Sequence, residues 1–420
     1  MKEIMNKIEL LAPAGDLEKL KIAIEYGADA VYFGGENFGL RAGSKNFSIA
    51  DIEEGVRFAH DRNKKIYITL NIFAHNEDIN LLEGYLKAIR HIPIDAYIVS
   101  DPGIISMLRE EIDTPEIHLS TQANTTNFKS AEFWHAQGIK RIVLARELSF
   151  QEIKEIKDKT SQTLELEAFV HGAMCISYSG RCLLSNFMIQ RDANRGECAH
   201  PCRWNYKLVE EKRPNEYYPV YEDDHGTYIF NSKDLCLIEY IPEFIYSGVS
   251  SLKIEGRIKS SFYLAIVVGA YRKAIDSFYN NEQNPSKEDW LIEINKASNR
   301  NYTTGFYLDK PSASSQNYTT SSYSRDYSFL GIVLDYDEET QIARVEQRNK
   351  FSIGNQIEIF GPYDDFFKQT INTMLNEDGS PIESAPHAQQ IVYIKVDRPI
   401  KKNFMLRKQV IGGDINERFE

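Results

Sequence analysis

Short apolar, β-branched runs, separated by stretches of helical spacing, recur through the first part of this chain and constrain its fold more than any other feature. They begin at Ile8 (IELLAPAG), Ala30 (AVYFGG), Lys65 (KIYITLNI), Ala96 (AYIVSDPG), Glu116 (EIHLSTQAN), Arg141 (RIVLAREL), Leu164 (LELEAFVHG) and Ser251 (SLKIEGR). Runs of this kind, capped by Gly or polar residues, are the pattern of parallel strands covered on both faces. Between them, segments such as LEKLKIAIEYG and SAEFWHAQG carry apolar residues at helical spacing and end in Gly. The eight units predict an α/β fold, a (β/α)8 TIM-like barrel, in preference to a doubly wound open sheet. In such a barrel the chemistry belongs on the loops that follow the strands.

One spacing departs from the rest. The seventh and eighth runs start almost 90 residues apart, and the excess, 175–250, holds all five cysteines. This predicts a cysteine-bearing insertion after strand seven, at the end of the barrel where sites are built. The barrel domain is expected over 1–311. A polar, Ser- and Tyr-rich linker follows over 312–327, and short alternating strands over 328–420 predict a small C-terminal β-barrel.

Lys+Arg 49 against Asp+Glu 61 leaves a net charge of −12, which excludes a uniformly basic nucleic-acid binder but allows a local basic patch. No run of about 18 apolar residues exists, so no membrane span is expected. The N-terminal residues lack a signal-peptide layout, so a cytoplasmic location with reduced thiols is expected. Five cysteines within 62 positions and none elsewhere point to a metal centre rather than to core packing. Only Cys198 and Cys202 have the tight spacing of a zinc pair, whereas Cys175 and Cys182 are seven apart. The uneven spacing fits an iron–sulfur cluster better than a zinc ribbon, zinc being the alternative metal. Arg181, Arg191, Arg195, Arg203 and Lys207 against Asp192 and Glu197 would offset the negative charge of such a cluster.

Glu167, Phe169, Gly172, Ala173, Met174, Cys175, Gly180, Cys182, Leu184 and Ser185 match the signature of the collagenase-like peptidase family U32, which the chain resembles over nearly its whole length. Leu11–Gly15, Val31–Gly34, Lys253–Arg257 and the C-terminal β region carry the same resemblance. It implies RNA hydroxylation rather than proteolysis: a branch that makes 5-hydroxyuridine at the tRNA wobble position using prephenate and a [4Fe-4S] cluster. By that resemblance the ligands are Cys175, Cys182, Cys198 and Cys236, with Cys202 spare or replacing Cys198. The partners it implies are tRNA and a possible related family subunit. The family label also implies a metallopeptidase, yet the sequence has no His-Glu-x-x-His run and no Gly-x-Ser-x-Gly elbow. A third reading is a non-catalytic RNA-binding protein stabilised by zinc.

Prephenate carries two carboxylates, so its site should offer Arg or Lys donors. The cations at strand ends are Arg41, Arg146, Lys253 and Arg257, and the polar residues at the same level are Asn71, Gln122, Asn124 and His171, with Glu255 holding Lys253 or Arg257. His171, Lys253, Glu255 and Arg257 are the catalytic candidates, and Arg41, Asn71, Gln122, Asn124 and Arg146 the substrate-binding ones. For tRNA, a basic stripe (Lys395, Arg398, Lys401, Lys402, Arg407, Lys408) and the tyrosines of 312–327 are candidates for phosphate contact and base stacking.

Overall fold

The computed structural model describes residues 7–35, 47–175, 177–179, 182–204, 209–210, 213–217, 222–223, 226–227, 232–280, 287–308, 326–362 and 366–410. Eight parallel strands close on themselves: β1 (Glu9–Pro13), β2 (Ala30–Gly34), β3 (Lys65–Leu70), β4 (Ala96–Val99), β5 (Ile117–Leu119), β6 (Arg141–Val143), β7 (Glu165–Ala173) and β8 (Ser251–Ile254). Each pairs with the next, and β8 pairs with both β7 and β1. This is the TIM-like barrel that the sequence predicts. Helices follow the strands and start on side-chain caps: Asp16, Ser48, Asp101, Asn127, Ser149 and Ser260 each accept a bond from a first-turn N–H. Each such cap stabilises its helix by about 1 kcal/mol.

The period of two along each strand sorts side chains between two cores. Leu10, Ala12, Val31, Phe33, Ile66, Ile68, Leu166 and Ala168 face the helices, while Leu11, Ala30, Tyr32, Tyr67, Ala96 and Ile98 form a separate cluster inside the barrel. Along the same inner face run Glu9, Arg141, Glu167, Ser251 and Lys253, bonded to one another across the barrel. One end of the interior is thus ionic where such barrels more often stack branched aliphatics.

After β7, a strand over Asp234–Cys236 runs antiparallel to its end, with Tyr302–Thr303 alongside. The linker expected over 312–327 falls outside the described residues except for Asp326 and Tyr327. Beyond it, seven antiparallel strands curve into a half-barrel around Leu330, Val333, Val345, Phe351, Ile359 and Leu406. This β domain docks on the barrel through the Phe262–Phe329 stack, 5.1 Å between ring centres, and through Arg407. Arg407 is fully buried, donates to Glu358 at 2.8 Å and to Glu293 at 3.0 Å, and lies over the Phe360 ring. Arg407 therefore leaves the expected basic stripe: its charge is neutralised inside the domain interface. Lys395, Arg398, Lys401 and Lys402 remain exposed. Among the described residues, no helix is long and apolar enough to cross a membrane.

Candidate active site

A small cleft opens at the C-terminal end of the strands. Strand residues Tyr32, Thr69, Ile98, Val143, Phe169 and Lys253 form its base, and Asn71, Gln122, Arg146, Glu255 and Arg257 rise around it. Lys253 is held from below by Glu167, 2.6 Å away and fully buried, and its ammonium lies 4.3 Å from the centre of the Tyr32 ring. Burial alone would raise the Glu167 pKa, but Lys253 and then Arg141 overcome it and hold the carboxylate ionised. Burial lowers the Lys253 pKa, against the pull of Glu167.

Two arginines complete the positive side of the cleft. Arg257 donates to Thr69 Oγ1 at 2.8 Å. Arg146 lies 4.0 Å over the Phe169 ring, donates to the Ala173 carbonyl at 2.9 Å and approaches Glu255 at 3.9 Å. Opposite them, Asn71 donates to Ser120 Oγ at 3.2 Å. Glycine makes this packing possible at two points. A Cβ on Gly15 would meet the Arg257 carbonyl at 2.2 Å, and one on Gly172, where φ is +110°, would meet that of Glu255 at 2.5 Å. The N-terminal Leu11–Gly15 motif thus fixes the height of the Lys253–Arg257 motif. Three cations against Glu255 suit a small polycarboxylate.

The cysteine-bearing segment crosses the mouth from β7 towards β3. Arg195 grips Asp78 with two bonds of 2.6 and 2.9 Å and donates to the Phe73 carbonyl at 3.2 Å. That pairing holds Asp78 below the usual carboxylate range. Next to it, Asn194 braces Cys182 on both sides, accepting from its N–H at 3.3 Å and donating to its carbonyl at 2.9 Å. The Pro201–Arg203 turn packs on helix Leu184–Ile189, and Ala199 N donates to Ser185 Oγ at 3.2 Å. Cys198 and Cys202 are thereby brought to the Cys182 end of the segment.

The cysteines differ in their surroundings. Cys175 is exposed, yet protein packed around its thiol, with the nearby Cys182 and Cys198 thiols, pushes that thiol up. Thiols that disfavour each other's ionisation form a site that a cation would relieve. Among the described residues, no three His, Cys, Asp or Glu side chains stand close enough to share one metal ion. Cys236 lies elsewhere. It sits opposite His171 in the antiparallel pairing at the end of β7. Its Sγ is 4.0 Å from Tyr271 Oη, and burial pushes its thiol up to about 11.

His171 is also outside the cleft. It is packed among the rings of Tyr263, Tyr271 and Tyr302, with Nδ1 3.5 Å from Tyr271 Oη. Burial, aided by Lys259, pushes its pKa down from 6.5 to about 3. The folded protein keeps this ring neutral, whereas the unfolded chain takes up a proton below pH 6.5. Stability should therefore fall as pH drops from 6.5 towards 3, by up to about 1.4 kcal/mol per pH unit. Unfolding free energies from urea titrations at pH 6.5 and 5 should differ by about 1.6 kcal/mol less in His171→Gln than in the wild type. Equal pH slopes would assign the acid sensitivity to other groups.

Of the residues singled out in the sequence, the cleft gathers Asn71, Gln122, Arg146, Lys253, Glu255 and Arg257. Asn124 ends the Thr121–Ala123 turn in the left-handed conformation and does not line the cleft, and Arg41 lies outside the described residues. Sequence reasoning missed Tyr32, Thr69, Ser120 and Phe169 as lining residues, and missed the Arg195–Asp78 clamp. Tyr32 was visible in Val31–Gly34, whereas the clamp joins residues 117 positions apart and leaves no local signal.

A parallel barrel with a cationic cleft, bridged by a cysteine-bearing segment and followed by a β half-barrel, defines the class. The chain matches the family "Peptidase family U32" over residues 15–317 and "Peptidase family U32 C-terminal domain" over 325–407. It belongs to peptidase family U32. Relatives include the tRNA hydroxylation protein P1 of Bacillus subtilis (strain 168), 47% identical over 96% of each chain. The tRNA hydroxylation protein P of Escherichia coli (strain K12) is 36% identical over 98% of each. A collagenase of Porphyromonas gingivalis (strain ATCC BAA-308 / W83) is 31% identical over 92% of this chain and 94% of its own.

Proposed function

We propose that this protein hydroxylates tRNA, converting the wobble uridine to 5-hydroxyuridine with prephenate as cosubstrate and a [4Fe-4S] cluster as cofactor. The observation that carries the reading is one end of the barrel holding both a cleft for carboxylates and a clamped segment rich in thiols. The names of the two tRNA hydroxylation relatives support the substrate.

In this reading Arg146 and Arg257 take the carboxylates of prephenate as fork donors, and Lys253 adds a point charge beneath them. Glu255 steadies Arg146 from the rim. Asn71 and Gln122 face the uridine, which must leave its stack to reach a concave site. Cys175, Cys182 and Cys198 would hold the cluster, with Cys202 as the fourth ligand in place of Cys236. When bound, such a cluster supplies electron transfer, or Lewis acidity where one iron lacks a thiolate. The Arg195–Asp78 clamp ties the segment to the start of the helix Asn76–Ile89, beside the strand end that bears Asn71.

The test is mass analysis of tRNA from a strain lacking the gene. Hydroxylated uridine should disappear and return with the wild type but not with Arg257→Met. Unchanged hydroxyuridine in the deletion strain sinks the proposal. A peptidase reading rests on the collagenase relative. Gelatin cleavage by the purified protein that Arg257→Met abolishes would favour it.

A further inference from the structure

The cysteine-bearing segment, which leaves the barrel at the end of β7, exposes two large side chains. Leu183 is 72% exposed and Tyr178 52%. Tyr178 is fixed in position by its neighbour. Ser179 accepts from the backbone N–H of Arg146 at 3.5 Å, and donates to Glu147 from its own N–H at 2.9 Å and its hydroxyl at 2.9 Å. Arg146 lines the cleft, so these bonds hold Ser179, and with it the Tyr178 backbone, beside a residue of the cleft wall. Cys175 lies three residues before it.

We propose that Tyr178 is the stacking platform for the tRNA base that enters the cleft or for its immediate neighbour, a positioning residue for the nucleic-acid substrate. The inference rests on the tRNA reading above and adds a named contact to it. A base drawn into a concave site loses the stacking of its own strand, and an aromatic ring at the rim restores it. Charge fits the same occupant: with Lys253 paired to Glu167 beneath the cleft, Arg146 and Arg257 still outnumber Glu255 in it, which favours an anionic strand at the rim. Stacking on an aromatic ring makes no demand on base identity and none on the phenol hydroxyl. Tyr178 would therefore contribute affinity and placement, while discrimination lies deeper in the cleft.

The experiment measures binding of a dye-labelled anticodon stem-loop RNA to the full chain by fluorescence anisotropy, across a salt series. Tyr178→Ala should weaken binding about 5- to 150-fold, the range expected for loss of one base stack. Tyr178→Phe should stay within about twofold of the wild type, since the ring is kept. The salt dependence of Tyr178→Ala should run parallel to that of the wild type, because stacking releases no counterions. Wild-type affinity retained in Tyr178→Ala overturns the inference and leaves the tRNA reading intact. A loss in Tyr178→Phe as large as in Tyr178→Ala also overturns it, by assigning the effect to the hydroxyl. If the wild type itself fails to bind the RNA, the tRNA reading falls and this inference with it.

Discussion

Replacing Glu167 with glutamine will destabilise the barrel by about 3–5 kcal/mol, the usual cost of removing one partner from a buried ion pair. Glu167 accepts from Lys253 at 2.6 Å and from Arg141 at 3.3 Å, and no solvent reaches it. Glutamine fills the same space but takes the counter-charge from the Lys253 ammonium in a dry interior, while Arg141 keeps Glu165 and Glu9. Glu9, which accepts from Arg141 at 2.5 Å and from Tyr67 at 2.7 Å, is already committed and cannot take over. Trp134, Trp204 and Trp290 all lie in the barrel portion, so urea unfolding followed by tryptophan fluorescence reports this domain. Glu167→Gln combined with Lys253→Met should recover much of the loss, because the second change removes the charge that the first left unpaired. The double variant should still fail to bind a dicarboxylate, since the ammonium beneath the cleft is gone. A single-variant loss under about 1 kcal/mol would mean that water enters the network and screens it.

That network also marks the limit of what the sequence discloses. The barrel was legible because each strand announces itself locally, in five or six residues between turn signals. Glu165 and Glu167 in the seventh run break the apolar pattern at alternate positions, a visible sign that the inner face is polar. Their partners were not visible: Lys253 is 86 residues from Glu167, and Glu9 is 132 from Arg141. Only closure of the barrel makes them neighbours. The cleft residues at strand ends were legible for the same local reason as the strands. His171 misled because a strand-end position says nothing of which face the ring takes. It faces outward, into the tyrosines around Tyr271. Arg407 misled through composition, since six basic residues in a short stretch suggest a solvated face. Its counter-charge Glu293 sits on the barrel domain, 114 residues away.

Exchanging Cys202 for alanine should strip the iron from anaerobically purified protein, whereas Cys236→Ala should retain its full complement of iron and sulfide. A thiol becomes a ligand by losing its proton, so the cause of a raised pKa matters as much as its direction. For Cys175 part of the rise comes from Cys182 and Cys198, a repulsion that a bound cation reverses. For Cys236 the leading cause is burial, and its thiol stands beside Tyr271 rather than beside another cysteine. Cys236 is held in that place by the pairing of Asp234–Cys236 with His171, Gly172 and Ala173. Cys202 lies at the Cys182 end of the segment, since its turn packs on the helix that follows Cys182. Cys175→Ala and Cys182→Ala should match Cys202→Ala in iron content and in loss of the brown chromophore. Cys236→Ala should differ from the wild type only by the small cost of a trimmed core side chain, about 1 kcal/mol. The reverse result, iron lost from Cys236→Ala and kept by Cys202→Ala, would mean that the end of β7 re-pairs when the cluster is loaded.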